Sequence, residues 1–483
     1  MRKRFIILSI ITGLFFSVCV SNQPPAETGE ANAVITVDTS IKYQYVRGFG
    51  GMDVGWRNFP RTSASDTELM FNPDTGLGLN ILRIMIMPWN TDIGIMMAEL
   101  TKDDRPDYYE NVRIVNRFGG YVLASPWSPP KEWKNNNSIR GSGRLLPAHY
   151  QDYADYLKSF AQHMYDNNAP IYAISIQNEP NYVADYDGCL WSGNDMRDFF
   201  LQVGRFTEGV RGFGGGRGTP VVLTMNGESA NHPNINDPAL NNPASRAVID
   251  LIGRHTYGNR LFRYSRALDH PTDPKEVWMT EHNINSGSPM GYPNDSKWNY
   301  VWKLLNDIDL SIRLNDESAF IWWAAKRFYS FIGDGHWGTT ESQILPRGYA
   351  ISHYAKFAKE TYRVGLSASG RTGSGAAVSS NNFNTSFNNI DGTTARATAF
   401  VSPDGNTISL VLFTPTSAQG SGGVDMGKIK IQLPEDFIVR QSAAMRTSEG
   451  KYAQWEDVEI SEDRNSAYIS LPRGHIVSVR FTR

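Results

Sequence analysis

The spacing of apolar positions changes along the chain, and the change predicts two folded parts. Before about residue 364, short runs of β-branched and apolar residues alternate with longer segments of helical spacing. In residues 149–165, for example, Tyr153, Tyr156 and Phe160 recur at intervals of three and four, which indicates one buried helix face.

The apolar runs in this first part predict eight strands. They occupy residues 45–47, 81–86, 121–124, 171–176, 221–224, 248–252, 277–279 and 320–323. Helix-like segments such as residues 194–210 and 298–314 lie between them. Strands and helices in regular alternation predict the α/β class, and eight such units predict a (β/α)₈ barrel of the TIM type.

From about residue 364 onward the helical spacing disappears, and apolar and polar residues alternate. Turns such as Pro403-Asp404-Gly405 and Pro472-Arg473-Gly474 separate the runs. Short strands joined by such turns predict an antiparallel β-sandwich appended to the barrel. No exposed row of aromatic residues stands out in it, so we interpret it as a structural side domain rather than a sugar-binding module.

These patterns divide the chain into four regions. Residues 1–20 are predicted to be an export signal, residues 21–33 a flexible tether, residues 34–363 the barrel and residues 364–483 the side domain. Residues 34–44 are placed either in the barrel or in the sheet of the side domain.

The first residues have the form of an export signal. The basic Arg2-Lys3-Arg4 precedes an apolar run that is too short to span a membrane comfortably. Cys19 lies where a bacterial lipoprotein carries its lipidated cysteine, although Val18 is not the usual small residue. Lipid anchoring and simple secretion therefore both remain open, and the predicted location is secreted or an outer-surface or periplasmic lipoprotein of a bacterium. In either case Cys189 has no partner for a disulfide in the mature chain.

Charge and composition exclude one class of partner. Lysine plus arginine total 47 and aspartate plus glutamate 49, for a net charge of -2. This balance indicates no nucleic-acid partner. Aromatic residues make up 12% of the chain, which suits stacking on sugar faces and equally suits the core of a large barrel.

Two glutamates each follow an apolar run of the kind that forms a buried strand. Glu179 ends the string Ile176-Gln177-Asn178-Glu179, and Glu281 ends Trp278-Met279-Thr280-Glu281. Carboxylates just past the C-terminal ends of parallel strands lie where α/β barrels perform their chemistry. Cleavage of a glycosidic bond requires a facing pair, one to protonate the leaving oxygen and one to attack the sugar carbon or activate water.

Other chemistries find little support in the sequence. The glycine-rich residues 212–218 precede a predicted strand instead of following one, so they fit no dinucleotide or phosphate loop and are interpreted as a flexible turn. The nine histidines show no metal-ligand spacing, and no Gly-x-Ser-x-Gly elbow occurs. We therefore predict no metal and no cofactor.

Seven strings follow one another along the predicted barrel. They are Arg47-Gly48-Phe49-Gly50-Gly51-Met52, Leu82-Arg83-Ile84, Ala124-Ser125-Pro126-Trp127-Ser128-Pro129-Pro130, Tyr172-Ala173-Ile174-Ser175-Ile176-Gln177-Asn178-Glu179-Pro180, His255-Thr256-Tyr257-Gly258, Trp278-Met279-Thr280-Glu281 and Ile321-Trp322-Trp323. Together and in this order they resemble glycoside hydrolase family 30. The resemblance implies a barrel with a side β-domain and a retaining glycosidase, endo- or exo-acting, on a β-linked glycan.

The resemblance also implies roles for particular residues. Glu179 is expected to be the general acid/base and Glu281 the nucleophile. Asn178 is expected to donate a hydrogen bond to the sugar 2-hydroxyl, while Arg83 and Tyr257 keep Glu281 ionised. Glu179 must be protonated at the start of the reaction, so its pKa is expected to be raised. A retaining site requires carboxyl groups about 5–5.5 Å apart.

Aromatic side chains and one histidine complete the expected site. Trp127 and one of Trp322 and Trp323 are expected to form the stacking floor of the cleavage subsite. His255 is expected to be a core histidine, or to support the site, rather than to act in catalysis.

Within the family, the resemblance favours the branch that cuts β-1,4-xylan, especially xylan bearing glucuronic acid. Arg327 and Tyr329 fall where that branch grips the glucuronate carboxylate, and a planar guanidinium suits a carboxylate. Ala324 and Lys326 depart from the pattern, because the branch usually has an aromatic residue and an arginine there. The departures argue against strict dependence on glucuronate, as do the long loops at residues 181–192 and 336–347.

The expected partner is therefore a polysaccharide, and glucuronoxylan is the preferred candidate. The sequence assigns no oligomeric state. A β-1,6-glucanase or galactanase, or an exo-β-xylosidase, is the alternative within the family. A non-catalytic glycan-binding protein of the cell surface is the alternative from another class. The presence of Glu179, Glu281, Asn178 and Arg83 together argues against that binder.

Overall fold

The computed structural model of the protein describes residues 31–55, 59–229, 232–257, 261–283, 297–373, 395–416 and 423–483. The predicted export signal, most of the tether and Cys19 lie outside the described residues. Within the described residues, no helix is both long enough and apolar enough to cross a membrane.

Twenty strands are described. In chain order they are β1 (Ala33–Val46), β2 (Gly48–Met52), β3 (Ile81–Ile86), β4 (Tyr121–Pro126), β5 (Ala173–Ser175), β6 (Gly212–Gly214), β7 (Arg217–Thr219), β8 (Leu223–Met225), β9 (Leu251–His255), β10 (Glu276–His282), β11 (Ala319–Trp322), β12 (Thr361–Gly370), β13 (Arg396–Val401), β14 (Thr407–Phe413), β15 (Lys428–Gln432), β16 (Gln441–Ser448), β17 (Lys451–Glu456), β18 (Glu459–Ile460), β19 (Ser466–Ser470) and β20 (Ile476–Thr482).

Ten α-helices are described within the same residues. They are α1 (Ala64–Phe71), α2 (Ile93–Glu99), α3 (Tyr108–Arg117), α4 (Tyr150–Asp166), α5 (Gly193–Val203), α6 (His232–Asn241), α7 (Pro243–Arg246), α8 (Ser265–Leu268), α9 (Val301–Arg313) and α10 (Pro346–Phe357).

Eight parallel strands close into a barrel in the order β10-β11-β2-β3-β4-β5-β8-β9. Its interior is filled by side chains from alternate positions, among them Ile81, Leu123, Trp278 and Ile321, all fully buried. The barrel therefore has a packed core, and the loops after its strands form one end face. The predicted fold class, a TIM barrel with an appended β-domain, is confirmed.

The first barrel strand differs from its prediction. Tyr45 and Val46 belong to the end of β1 and pair with Tyr362 and Thr361 of β12, so the predicted strand at residues 45–47 is wrong. The barrel strand is instead the glycine-rich β2, in which a side chain at Gly50 would collide with the backbone of β3. Glycine is disfavoured in strands unless another backbone approaches closely, and this is such a case.

The predicted glycine-rich turn at residues 212–218 is a short hairpin formed by β6 and β7. Gly215 and Gly216 make the turn with φ values of 59° and 73°. This left-handed backbone favours glycine at both positions. The hairpin leads into β8 and contributes no functional side chain.

The side domain is built on ten strands bonded in the order β17-β16-β20-β14-β13-β12-β1-β15-β19-β18. All its pairs are antiparallel except β1 with β15, which is parallel. Thus β1 pairs with β12 and β15 in this sheet, and not with the barrel.

Strands β13 and β14 separate the core of the side domain from the layer that faces the barrel helices. Ala399 and Leu410 are buried in the side-domain core, whereas Phe400 and Val411 are buried with the barrel helices. Strict alternation along the strands produces these two faces. Helix α10 contacts β14 and β20 of the side domain and also β2 of the barrel, so it lies between the two parts.

Candidate active site

Glu179 is placed by hydrogen bonds that continue the barrel beyond the end of β5. Its backbone N–H donates to the carbonyl of Glu228 at 2.8 Å, and the N–H of Glu228 donates to the carbonyl of Gln177 at 3.0 Å. Glu179 has a φ of 44°, in the left-handed region. A non-glycine residue stays there only when its surroundings hold it, which is common at functional sites.

Glu281 is turned toward the centre of the barrel by an irregularity in β10. Trp278 points into the barrel core, so strict alternation would point Thr280 inward and Glu281 outward. The pairing register shifts between Met279 and Glu281 against β9. This shift redirects the Glu281 side chain into the site, a common use of strand irregularities near active sites. His282 then points to the helix side, where its ring lies 2.9 Å from Asp307.

The two glutamates face each other across the C-terminal end of the barrel. One oxygen of Glu179 and one of Glu281 lie within 4.8 Å of each other, and a ring nitrogen of His255 is within the same distance of both. Retaining glycosidases place their carboxyl groups about 5–5.5 Å apart, whereas inverting enzymes require about 6.5–9.5 Å. An approach within 4.8 Å is closer to the retaining arrangement, in which one carboxylate attacks the sugar carbon directly.

Arg83 at the middle of β3 binds two of the predicted site residues at once. One terminal nitrogen donates to Glu281 Oε2 at 2.6 Å, and the other donates to Asn178 Oδ1 at 2.6 Å. Its guanidinium lies over the Trp127 ring, 4.8 Å from the ring centroid. The hydroxyl of Tyr257 donates to the other oxygen of Glu281 at 3.1 Å. The structure thus brings these four expected residues together around Glu281.

Two side chains hold Glu179. The Nδ1 atom of His255 lies 3.1 Å from Glu179 Oε1, and the hydroxyl of Tyr186 donates to Glu179 Oε2 at 3.0 Å. His255 therefore contacts Glu179 directly. This position agrees with the interpretation that His255 supports the site. Tyr186 was missed, because nothing in the pattern of the long loop at residues 181–192 distinguishes it from an ordinary surface tyrosine.

The position of Tyr186 depends on contacts between two loops. Lys134, in the loop after β4, is buried and donates to the Gly188 carbonyl at 2.5 Å and to Ser128 Oγ at 3.0 Å. Ser142 also accepts a hydrogen bond from the Ala184 N–H at 2.7 Å. The loop that carries Tyr186 is therefore fixed to the neighbouring strand end.

A third carboxylate, Glu228, was also missed by the sequence reasoning. It follows β8 and is fully buried, with one oxygen 3.1 Å from Arg83 and 4.0 Å from His255 Nε2. The signal that identified Glu179 and Glu281 was present here too, since Glu228 lies just past a predicted strand. It was overlooked because Asn226-Gly227 separates it from the apolar run.

Charges within the site determine the ionisation of its carboxylates. Burial opposes the charged form of Glu228, but Arg83 and His255 outweigh it and lower its pKa to about 2. Burial likewise opposes the charged form of His255, but the surrounding carboxylates raise its pKa to about 9. The free site therefore contains an imidazolium at neutral pH, with Glu179, Glu228 and Glu281 around it.

The pKa shifts of the two facing glutamates are the reverse of the expectation, which was a raised pKa for Glu179. Burial would raise the pKa of Glu179, but hydrogen bonds from His255 and Tyr186 and the charge of Arg83 lower it below its ordinary value. Burial raises the pKa of Glu281, and the adjacent Glu179 adds to this effect. The reason for the difference is His255, whose charge was not expected from the sequence.

The paired tryptophans at the end of β11 have different surroundings: Trp322 is its last residue and Trp323 follows it. Trp323 is half-buried and its ring centroid is 6.1 Å from that of Trp127, so these two rings lie together beside the carboxylates. Trp322 has no exposed surface and its indole N–H donates to Ser330 at 3.0 Å, on the helix side of the strand. Of the two candidates for the stacking floor, the structure places Trp323 there and Trp322 in the core.

The predicted glucuronate-binding pair is enclosed. Arg327 lies 3.4 Å from Asp334 and over the ring of Phe59, with 6% of its surface exposed. Tyr329 is fully buried and its ring packs edge-on against Phe328. Through Phe59, which contacts Trp323 at 5.3 Å between centroids, Arg327 borders the cleft. The guanidinium of Arg327 thus faces an internal carboxylate.

Glu179, His255 and Glu281 are also the described residues whose spacing could hold a metal ion. Positive charge is supplied there by protein groups instead: Arg83 donates to Glu281, and His255 lies in hydrogen-bond distance of Glu179. The set is thus organised as a pair of carboxylates with cationic partners, which is an arrangement for acid/base and nucleophilic chemistry.

Comparison with known proteins agrees with this geometry. Residues 105–277 match the model of the glycosyl hydrolase family 30 TIM-barrel domain. The resemblance to family 30 is confirmed. The matched segment contains Glu179 and ends at the start of the strand that carries Glu281. The resemblance to a glycoside hydrolase family implies a glycan substrate.

The individual proteins that this chain resembles have low sequence identity to it. The glucuronoxylanase XynC of Bacillus subtilis (strain 168) is 27% identical over 374 residues, which cover 74% of this chain and 78% of that protein. The family 30 subfamily 8 xylanase Xyn30A of Clostridium acetobutylicum matches in structure with a TM-score of 0.70 at 22% identity, covering 93% of this chain and 100% of that one. An endo-β-1,6-glucanase matches with a TM-score of 0.59 at 17% identity, covering 94% and 96%. The structural matches support the fold, and the substrate is argued separately below.

Proposed function

We propose that this protein is a retaining glycoside hydrolase that cleaves β-1,4-xylan by double displacement. The observation that carries the proposal is the close pair of Glu179 and Glu281, with oxygens within 4.8 Å of each other. Arg83 and Tyr257 each donate to a different oxygen of Glu281. A carboxylate held by two donors in this way is suited to attack on the sugar carbon.

In the first step, Glu281 forms a bond to the anomeric carbon while Glu179 gives a proton to the departing oxygen. In the second step, Glu179 takes a proton from water, and that water releases the sugar from Glu281. Asn178 accepts from Arg83 through Oδ1, so its amide N–H group is left to donate to the sugar 2-hydroxyl. Trp323, half-buried and backed by the nearly fully buried Trp127, provides the aromatic surface on which a sugar ring stacks.

Xylan is the proposed substrate because a glucuronoxylanase is 27% identical over most of this chain. Glucuronate is proposed to be accepted but not required, since Asp334 lies against Arg327 in the free protein. A β-1,6-glucan is the second candidate, because the fold of an endo-β-1,6-glucanase is also similar.

The test is mass spectrometry of the products formed from glucuronoxylan, undecorated xylan, arabinoxylan and β-1,6-glucan. We expect xylo-oligosaccharides from all xylans and none from the glucan. Acidic products from glucuronoxylan alone would contradict the independence from glucuronate. Cleavage of the β-1,6 polymer alone would retain the two-glutamate mechanism and refute the xylan substrate.

Glu281→Gln should lower kcat on every cleaved substrate at least about 1,000-fold, because the nucleophile is lost. The matched control is Glu276→Gln, which changes the same residue type at the opposite end of the same strand, where it pairs with Arg47. Xylan binding by Glu281→Gln, measured by calorimetry, should persist. A protein that binds glycan but shows no hydrolysis in either form would instead be the non-catalytic binder.

We further propose that the protein is exported and lipid-anchored at Cys19. Support comes from the basic and apolar N-terminal residues and the position of this cysteine. When the full chain is expressed in a bacterium and labelled with a radioactive fatty acid, the label should enter the wild type and not Cys19→Ser. Export without label would leave simple secretion as the correct alternative.

A further inference from the structure

Glu228 lies directly behind the two facing glutamates. Its backbone is bonded on one side to Gln177 and on the other to Glu179, at 3.0 and 2.8 Å. The register between the chain after β5 and the chain after β8 is therefore fixed at this point. The Glu228 carboxylate itself has no exposed surface, so it does not contact a substrate in the cleft.

The Glu228 carboxylate faces the two cations that hold the other glutamates. It is 3.1 Å from Arg83, which binds Glu281 at 2.6 Å. It is 4.0 Å from His255, whose other nitrogen is 3.1 Å from Glu179. The buried carboxylate of Glu228 is thus separated from each of the two facing glutamates by a single side chain, Arg83 or His255.

We propose that Glu228 is a positioning residue: it acts through His255 and Arg83 to orient the two glutamates and to set the pH at which Glu179 changes charge. The inference rests on the proposed retaining mechanism and adds a residue to it. No role in contact with substrate is assigned to Glu228.

The argument concerns the two nitrogens of the His255 ring. Nδ1 lies 3.1 Å from Glu179 and Nε2 lies 4.0 Å from Glu228, so each nitrogen of a protonated ring has a carboxylate nearby. A buried imidazolium is stable only with such compensation. His255 and Glu179 together then hold the proton of the acid/base: when Nδ1 gives it to Glu179, both groups become neutral and the remaining N–H still faces Glu228.

Groups from other elements also face His255 and must be included in the charge balance. Glu281 from β10 adds to the negative charge near the ring. The ring of Tyr257 lies 6.1 Å from it, edge-on. The positive charge of Arg83 from β3 opposes protonation of the ring, and Tyr186 donates a hydrogen bond to Glu179, the carboxylate beside Nδ1. Since the carboxylates outnumber the arginine, loss of one carboxylate should release the shared proton at a lower pH.

The first test is Glu228→Gln, which preserves the shape of the side chain and removes its charge. Without that charge, the protonated forms of both His255 and Glu179 are disfavoured, so the basic limb of the pH profile of kcat/KM should move to lower pH by about one unit or more. KM should stay within about twofold at the optimum, because no substrate contact is lost, while kcat falls.

Glu317→Gln is the matched control. Glu317 is equally buried, is likewise bound to an arginine, Arg254, and lies outside the site. We expect this variant to lose stability without a shift of the pH profile. If Glu228→Gln also lost only stability and kept the wild-type profile, Glu228 would be a structural residue and the proposal would be overturned.

A second measurement follows the protonation of His255 directly and does not depend on activity. The His255 ring nitrogens are observed by NMR and assigned by their loss in His255→Asn. We expect both nitrogens to be protonated at pH 7, and the titration of a folded Glu228→Gln protein to move to lower pH. A neutral ring at pH 7 in the wild type would overturn the proposal. Protonation of the ring without any xylan cleavage would instead refute the proposed function alone.

Discussion

At the scale of single residues, Arg83 explains why a charged side chain is retained at the centre of a barrel. It has no exposed surface, yet its donors bind Glu281, Asn178 and Ser125 and its face lies over Trp127. The charge of Arg83 is compensated by Glu281 and Glu228, and removing either carboxylate would leave part of that buried charge unpaired, which is costly. The same reasoning applies to Arg327, whose partner is an internal carboxylate.

Asp334→Asn should change substrate preference. The substitution removes a negative charge that lies 3.4 Å from Arg327, so the attraction of the guanidinium for a glucuronate carboxylate should increase. The ratio of kcat/KM on glucuronoxylan to that on undecorated xylan should rise about tenfold, a difference of about 1.4 kcal/mol. Steady-state kinetics on the two polymers provide the measurement.

Arg327→Ala in the Asp334→Asn background is the control for that change. The rise in kcat/KM on glucuronoxylan should disappear in the double variant, because the guanidinium of Arg327 is gone. An equal rise on both polymers would show that Asp334 restrains the cleft in general and does not compete with glucuronate.

At the scale of elements, the end of β11 places two successive tryptophans, Trp322 in the strand and Trp323 just after it, in different environments. Trp323→Ala should raise KM for xylan about tenfold or more, since an aromatic surface beside Trp127 is removed, with little loss of stability. Trp322→Ala should instead lower the free energy of unfolding by about 3–5 kcal/mol, because a fully buried ring is lost. Kinetics and denaturant unfolding of both variants separate the two effects, and the reverse result would mean that the assignment of faces is wrong.

At the scale of the whole molecule, α10 connects the barrel to the side domain through His353. Its ring lies 2.8 Å from Ser478 of β20 and 2.8 Å from Thr447 of β16. Burial, with a smaller effect of Arg446, lowers the pKa of His353 to about 3. The folded protein therefore keeps this ring neutral, while the unfolded chain protonates it near pH 6.5.

The sign of the resulting pH dependence follows from that difference. Below about pH 6.5 the unfolded chain binds a proton that the folded one does not, so this histidine lowers stability by about 1.4 kcal/mol per pH unit as the pH falls toward 3. His353→Gln removes the effect. In guanidinium unfolding at pH 7, 6, 5 and 4, the stability difference between wild type and variant should therefore shrink steadily. Parallel stability curves would show that the His353 ring does not stay neutral.

Much of the fold and part of the site were accessible from the sequence because they depend on local pattern. A buried parallel strand is a short run of apolar residues, and a functional carboxylate follows it directly, as at Glu179 and Glu281. The first strand was misplaced because Gly48–Met52 has almost no side chains to give a pattern. Its strand conformation depends on the close approach of β3, which lies far along the chain.

By itself, the sequence determined the barrel, the appended β-domain and the resemblance to family 30, since each is expressed in residue types at regular spacing. Only the tertiary structure decided that Glu228 and His255 complete the site, that Trp323 rather than Trp322 borders it, and that Asp334 faces Arg327. These relations join residues from different strands and loops. Their energies depend on distance and burial, which arise only when the strands meet at one end of the barrel.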